Sequence, residues 1–141
     1  MLIGIPNILS PELLKILMEM GHGDEIVLAD GNFPAASNAQ RLIRCDGHNL
    51  PDLLDAILQL FPLDVRMKQP VSLMGVDLED NYMSEITKTF KLILSKYDSH
   101  ITDFEFVERF EFYERAKKAY AIVATSEMER YANIILKKGV I

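Results

Sequence analysis

The residue best suited to chemistry is His22, which stands between two glycines in the segment Gly21-His22-Gly23-Asp24. An imidazole titrates near neutral pH and can give or take a proton. The flanking glycines allow unusual backbone angles and leave open space beside the ring. From this local context alone a surface loop histidine is the favoured interpretation, and a proton-transfer role is the alternative.

Three polar residues are further candidates because each lies at the start or end of a predicted element. Asp30 follows the apolar run 26–29, and ligands of open α/β sheets gather beyond the carboxyl ends of strands. Its carboxylate could bind hydroxyl groups or orient a histidine, but a turn or cap role fits equally well. Arg109 could donate to a ligand or pair with an acid such as Glu105, and Asn133 could be only a turn residue.

Several common signatures are absent from the sequence. It has no GxxxxGK[ST] loop, no HExxH motif and no paired CxxC motifs, and the partial GxGxxG at Gly21 follows a helix instead of a strand. The three histidines are far apart in sequence, so we predict no metal site. Cys45 is the only cysteine; it cannot form an internal disulfide and is expected to pack as a small apolar residue.

Composition limits the partners. The chain has 141 residues, 49% hydrophobic and 26% charged, with a net charge of −6, which fits one globular domain. The lysines and arginines are scattered, so we expect no nucleic-acid partner. The amino terminus lacks a basic segment before its apolar residues, and no apolar run approaches the ~20 residues of a membrane span. We therefore expect a cytoplasmic protein without a membrane partner.

Hydrophobic spacing predicts strands that alternate with helices. The first helix opens at Ser10-Pro11 and ends at Gly21. The last two strands have no clear helix between them, so they could be antiparallel or joined by an irregular link. We predict an α/β fold, a single layered domain over residues 1–141 with a mostly parallel central sheet flanked by helices. The other predicted helices are 51–61, 80–97 and 110–119, and the strands are 26–29, 42–45, 71–76, 104–107, 120–125 and 133–137.

Two long segments resemble one known family. The opening SPELLKILMEMGHGDEIVLAD (residues 10–30), with Asn-Phe-Pro-Ala at 32–35, is similar to the start of the L-fucose mutarotases, which belong to the L-fucose mutarotase / D-ribose pyranase family. The closing FEFYERAKKAYAIVATSEMERYANIILKKGV (residues 110–140) is similar to that family's end. Both blocks keep their places relative to the termini, so the resemblance covers essentially the whole chain.

The resemblance implies a catalytic role for two residues. The family interconverts the α and β anomers of a free sugar, and His22 falls at the position of its proton-donating histidine. Tyr120 matches a tyrosine that some fucose mutarotases use, although others have phenylalanine there. Asp30, Tyr120 or a water could make the second proton transfer.

The resemblance also implies the residues that hold the sugar. Asp30 and Arg109 fall at substrate-binding positions, and ribose pyranases have histidine in place of Arg109. Tyr131, Ala132 and Asn133 match the family's sugar-binding run of Tyr, a small residue and Asn. The arginine and the segment 112–115, Phe-Tyr-Glu-Arg, favour L-fucose over ribose.

What the family does sets the expected partners and the rival interpretations. Mutarotation transfers no electron and no chemical group, so no cofactor is expected. Family members form ring-shaped homo-oligomers, often decamers, with sites near subunit contacts. The alternatives to a fucose mutarotase are a D-ribose pyranase, a non-catalytic sugar-binding regulatory subunit and a purely structural assembly domain.

Overall fold

A computed structural model describes all 141 residues, and six strands form its central sheet. Their bounds are β1 (Glu25–Ala29), β2 (Leu42–Cys45), β3 (Val71–Met74), β4 (Glu105–Val107), β5 (Ala121–Thr125) and β6 (Ile134–Lys137). The five helices are α1 (Pro11–Glu19), α2 (Ala35–Asn38), α3 (Leu50–Leu58), α4 (Ile86–Tyr97) and α5 (Arg109–Lys118).

The sheet is mixed, with the strand order β2-β5-β1-β6-β3-β4. β5 lies parallel between β2 and β1, and β4 pairs parallel with β3. β6 runs antiparallel between β1 and β3. The predicted α/β fold with a mostly parallel sheet is confirmed. The last two strands do not pair with each other, because β1 lies between them.

Helices cover both faces of the sheet, as predicted. Along β1, Ile26 and Leu28 face the larger hydrophobic core beneath α1, α3 and α4, whereas Val27 and Ala29 face a smaller core beneath α2 and α5. Alternate side chains of a strand point to opposite faces, so a strand that is covered on both sides needs apolar residues throughout. This arrangement accounts for the uninterrupted apolar run of β1.

The first helix begins as predicted and ends shortly before His22. The hydroxyl of Ser10 accepts a hydrogen bond from the N–H of Leu13 at 3.2 Å, and Pro11 occupies the first turn. Gly21 follows the helix cap, but it does not have the left-handed backbone that this position commonly takes. Its N–H donates to the carboxylate of Asp24 at 2.8 Å. The left-handed glycine is Gly23, with a φ of 87°.

Three predicted boundaries were wrong. The helix predicted for 51–61 ends at Leu58. The helix predicted for 80–97 begins only at Ile86, because the carboxylate of Asp80 accepts from the N–H of Tyr82 at 3.0 Å and holds a turn there. The strand predicted for 71–76 ends at Met74. The short helix α2 was not predicted, since four residues are too few to show a helical period.

Gly139 permits a close crossing of two segments near His22. A Cβ on Gly139 would overlap the carbonyl carbon and oxygen of Leu63 and come within 2.9 Å of the Cα of Asp64. We expect Gly139→Ala to lower the free energy of unfolding by about 1–3 kcal/mol, because backbone must move to accept the methyl group. Urea denaturation followed by circular dichroism measures this loss.

Gly75→Ala is the matched control for that measurement. Its added Cβ would meet nothing closer than the carbonyl oxygen of Val107 at 3.5 Å, an ordinary contact. A change of about 0.5 kcal/mol or less is expected. Equal stability of the two variants would contradict the assignment of a close crossing at Gly139.

Candidate functional site

A buried pair of polar side chains marks the edge of the sheet where the parallel strands end, here called the carboxyl edge. Asp30 directly follows β1, Asn133 directly precedes the antiparallel β6, and both are almost fully buried. The side-chain oxygen of Asn133 accepts from the N–H of Asp30, and its amide nitrogen donates to the Asp30 carboxylate, both at 2.9 Å. The pair therefore joins the ends of two neighbouring strands.

The environment of Asp30 opposes ionisation and also compensates for it. Burial raises the pKa of Asp30 above its usual value, while hydrogen bonds from the N–H of Asn32 and from the Asn133 amide act to lower it. The N–H of Asn32 lies 2.9 Å from one carboxylate oxygen. A buried acid with donors already on both oxygens is held in one orientation, which suits the binding of ligand hydroxyl groups.

A cavity of about 280 Å³ opens over this pair. Its lining combines aromatic rings with a carboxylate, amides and guanidinium groups, a composition that suits a small polar molecule with apolar faces. Four of the residues predicted to bind substrate line it. The full lining is Asp30, Asn32, Phe33, Met74, Arg109, Tyr113, Arg130, Tyr131 and Asn133.

Arg109 reaches the cavity from the first residue of α5. Its Nε lies 3.4 Å from a carboxylate oxygen of Asp77, and its guanidinium carbon lies 4.6 Å from the ring centroid of Phe110. The Nε is buried and has no hydrogen-bond partner within the chain. Arg109 also lines a neighbouring cavity of about 690 Å³ formed by residues 75–80 and 108–110. The guanidinium of Arg109 therefore lines both cavities, and its Nε–H is available to donate to a ligand.

Tyr131 enters the cavity from a strained position. It is the only residue other than glycine with a positive φ, 61°, a conformation that costs a bulky residue on the order of 1–3 kcal/mol. Its hydroxyl donates to a carboxylate oxygen of Asp80 at 2.9 Å. Ala132, predicted to bind substrate, does not line the cavity; its methyl group is fully buried in the larger core.

His22 lies at the opposite edge of the sheet, here called the amino edge, because it precedes β1 where Asp30 follows it. Its Nε2 lies 3.3 Å from Oδ2 of Asp64, and its side chain is 44% exposed whereas that of Asp64 is 9% exposed. The other carboxylate oxygen of Asp64 accepts from the N–H of Arg66 at 3.2 Å. A fixed carboxylate beside an accessible imidazole is a common arrangement for proton transfer.

Asp64 was missed in the sequence analysis. The signal was present, because an acid in the otherwise apolar segment 61–65 (FPLDV) is unusual, and a buried polar residue is more informative than an exposed apolar one. Its partner His22 is 42 positions away, so the pairing itself could not be predicted from local spacing.

Tyr120 also lies at the amino edge, immediately before β5. Its hydroxyl contacts the carboxylate of Glu19 at 3.2 Å, and the guanidinium carbon of Arg41 lies 4.0 Å from the centroid of its ring. Desolvation, with the hydrogen bond to Glu19, raises the pKa of Tyr120. The phenol is therefore protonated at neutral pH and can donate. It lines a polar cavity of about 390 Å³ together with Gly23, Asp24 and Arg41.

One chain does not bring all the predicted residues together. β1 has five residues, so the Cα atoms of its two ends lie roughly 13 Å apart at about 3.3 Å per step. Asp30, Arg109, Tyr131 and Asn133 meet at the carboxyl edge, while His22 and Tyr120 lie at the amino edge. No three His, Cys, Asp or Glu side chains converge as metal ligands do, and no helix is long and apolar enough to cross a membrane.

Proteins with similar sequences and folds include fucose mutarotases. Residues 3–141 match the model of the RbsD / FucU transport protein family. The fucose mutarotase of Mus musculus is 52% identical over 96% of this chain and 92% of its own. A crystal structure of the fucose mutarotase from Streptococcus pneumoniae in complex with L-fucose is 53% identical, with a TM-score of 0.93 over 99% of both chains.

A more distant structure has a different sugar bound. Bacillus subtilis RbsD complexed with D-ribose is 26% identical, with a TM-score of 0.73 over 94% of this chain and 95% of its own. The family match extends over nearly the whole chain and agrees with the resemblance of both terminal segments. The chain therefore belongs to the RbsD/FucU family.

Proposed function

We propose that the chain is a mutarotase that interconverts the α and β anomers of L-fucose. The observation that carries this proposal is the cavity over Asp30 and Asn133, in a chain that superposes over 99% of its length on a fucose-bound mutarotase. Asp30, Arg109, Tyr131 and Asn133 would bind the sugar hydroxyls. Ala132 would contribute through its backbone, since its methyl group lies in the core.

Ring opening requires two proton transfers. The proton leaves the anomeric hydroxyl, the bond between the anomeric carbon and the ring oxygen breaks, and a proton is delivered to that oxygen; closure on the other face reverses these steps. His22 would make one transfer. The N–H at its Nε2 would donate a hydrogen bond to Asp64, which leaves Nδ1 free to exchange a proton with the sugar. Asp64 would thus orient the imidazole.

The second transfer has a chemically suited candidate in Tyr120. A phenol whose pKa is raised is protonated at neutral pH and can donate to a ring oxygen. Asp30, whose pKa is also raised, and a bound water are the other candidates. No electron or chemical group is transferred, so the reaction requires no redox or nucleotide cofactor.

The two halves of the site would meet between copies of the chain. Within one chain His22 is separated from Asp30 by the length of β1, whereas a head-to-tail contact would bring the amino edge of one copy onto the carboxyl edge of the next. Repetition of such a contact closes a ring. Both edges expose apolar side chains that a neighbour could cover: Phe110 and Leu78 at the carboxyl edge, and Val65 beside Asp64 at the amino edge.

We extend the proposal to assembly and location. A homo-oligomeric ring, of which the family's decamer is one form, would complete the site. A cytoplasmic location would suit the single buried and unpaired Cys45, because reducing compartments keep such thiols free. L-fucose is preferred over D-ribose as substrate, because the fucose-bound relative is 53% identical and the ribose-bound one 26%.

The activity is tested by saturation-transfer NMR of the anomeric protons. The wild-type chain is expected to accelerate α/β exchange of L-fucose more than that of D-ribose. His22→Ala should lose roughly 10²- to 10⁴-fold of this acceleration, the usual contribution of a general acid or base. His100→Ala is the matched control, because His100 also contacts an aspartate, Asp98 at 3.2 Å, but is 93% exposed.

Each outcome of that measurement has a defined meaning. Acceleration of ribose alone would favour the pyranase, and sugar-induced thermal stabilisation without faster exchange would favour the regulatory subunit. If the wild-type chain neither binds nor accelerates fucose, ribose or related sugars, the proposal fails.

The composite site is tested by mixing two inactive variants. His22→Ala retains Asp30, and Asp30→Ala retains His22, so a mixed ring contains some contacts with both residues intact. Random co-assembly of equal amounts should restore about a quarter of the wild-type exchange rate, because a head-to-tail contact needs the right variant on each side. The rates of co-refolded and separately refolded variants are compared by the same NMR measurement.

Absence of restored activity in rings shown to be mixed would contradict a site shared between copies. Mass spectrometry of subunits with different isotope labels verifies the mixing. The proposed catalytic chemistry would then require both edges to meet in some other way.

A further inference from the structure

The side chain of Asp80 links the loop of residues 76–85, between β3 and α4, to the carboxyl edge. One carboxylate oxygen accepts from the hydroxyl of Tyr131 at 2.9 Å and from the guanidinium of Arg130 at 3.1 Å. The other accepts from the same guanidinium at 3.2 Å and from the N–H of Tyr82 at 3.0 Å. Asp80 thus joins the backbone of its own loop, at Tyr82, to the cavity-lining side chains of Arg130 and Tyr131.

Both partners of Asp80 need external support. Tyr131 has a left-handed backbone that its bulky side chain disfavours, so contacts elsewhere must hold it. The guanidinium carbon of Arg130 lies 4.3 Å from the ring centroid of Tyr82, and the rings of Tyr82 and Tyr131 are 6.0 Å apart. Arg130 is thereby stacked on Tyr82 and paired with Asp80.

Asp80 itself does not line the cavity over Asp30, whereas Tyr131 and Arg130 do. Its contribution to that cavity must therefore pass through those two side chains. The hydrogen bond from Tyr131 also lowers the pKa of Asp80, with Arg130 adding to the effect. An ionised carboxylate accepts stronger hydrogen bonds than a neutral group does.

We propose that Asp80 is a positioning residue for sugar binding, which holds the Tyr131 hydroxyl and the Arg130 guanidinium in place at the rim of the cavity. This inference rests on the proposed function, because it assigns the sugar to that cavity. Asp80 acts on binding and not on proton transfer, because its hydrogen bonds go to Tyr131, Arg130 and the N–H of Tyr82, and none of these is proposed to transfer a proton.

The test is a double-mutant cycle on the oligomeric protein. Asp80→Ala should raise the half-saturating concentration of L-fucose about tenfold, the loss expected for hydrogen bonds to a charged group. The exchange rate at saturating sugar should stay within about twofold of wild type. In a Tyr131→Phe background, Asp80→Ala should raise the half-saturating concentration much less, because its main partner is already gone.

The matched control is Asp46→Ala. Asp46 is also a loop aspartate paired with an arginine, Arg44 at 2.8 Å, but it is exposed and borders none of the proposed site residues. Its half-saturating concentration should equal that of wild type. If Asp80→Ala does not fold, Asp80→Asn replaces it in the cycle; this variant keeps the volume and one oxygen, and a rise of about threefold is expected.

The failures are distinguishable. If the wild-type chain accelerates no sugar, the proposed function falls and this inference falls with it. If wild type is active, the inference alone is overturned by any of three results: an unchanged half-saturating concentration in the Asp80 variants, a loss confined to the saturated rate, or losses that simply add in the Tyr131→Phe background.

Discussion

The reciprocal hydrogen bonds between Asp30 and Asn133 join residues that are 103 positions apart. Without its partner, each residue would keep a buried polar atom that lacks a hydrogen bond, at a cost of about 1–3 kcal/mol. Together they fix where β1 ends and where β6 begins. The cavity lies at this junction, so the same contact that completes the sheet also sets the floor of the candidate sugar site.

Because β6 is antiparallel to β1, it links the Asp30–Asn133 pair to the amino edge of the sheet. The strand begins beside Asp30 and ends beside the start of β1, where the carbonyl of Lys138 accepts from the N–H of Gly23 at 2.8 Å. The carbonyl of Lys137 accepts from the N–H of Asp64 at 3.0 Å. One strand therefore positions Asn133 at the carboxyl edge and both the loop of His22 and the backbone of Asp64 at the amino edge.

Local patterns in the sequence predicted the layers of the fold better than they predicted its pairings. The apolar run of β1 and the cap at Ser10 are properties of adjacent residues, and both predictions are confirmed. The insertion of β6 between β1 and β3 depends on contacts between distant segments, for which a single sequence offers no periodic signal. The start of α4 was misplaced because Asp80 holds a turn with the N–H of Tyr82, and the same carboxylate is fixed there by Arg130 and Tyr131, 50 and 51 positions away.

The candidate site shows the same division. Resemblance to the family supplied His22, Asp30, Arg109, Tyr131 and Asn133, and the fold brings four of these to one cavity. The pairings of Asp64 and Asp80 could not be predicted because their partners are distant in sequence, although the apolar surroundings of Asp64 were a local signal that was missed. Ala132 was predicted from a motif, but its side chain lies in the larger core.

The charges around the cavity explain why an acidic chain can present a site for an uncharged sugar. Arg109 lies against Asp77, and Arg130 pairs with Asp80. Burial raises the pKa of Asp30, so its negative charge is held only with the help of fixed donors. A polyol gains little from net charge but much from donors and acceptors that are already oriented. The net charge of −6 therefore has little bearing on the candidate site, where the proposed sugar recognition would depend on hydrogen bonds held in place by the junction of β1 with β6.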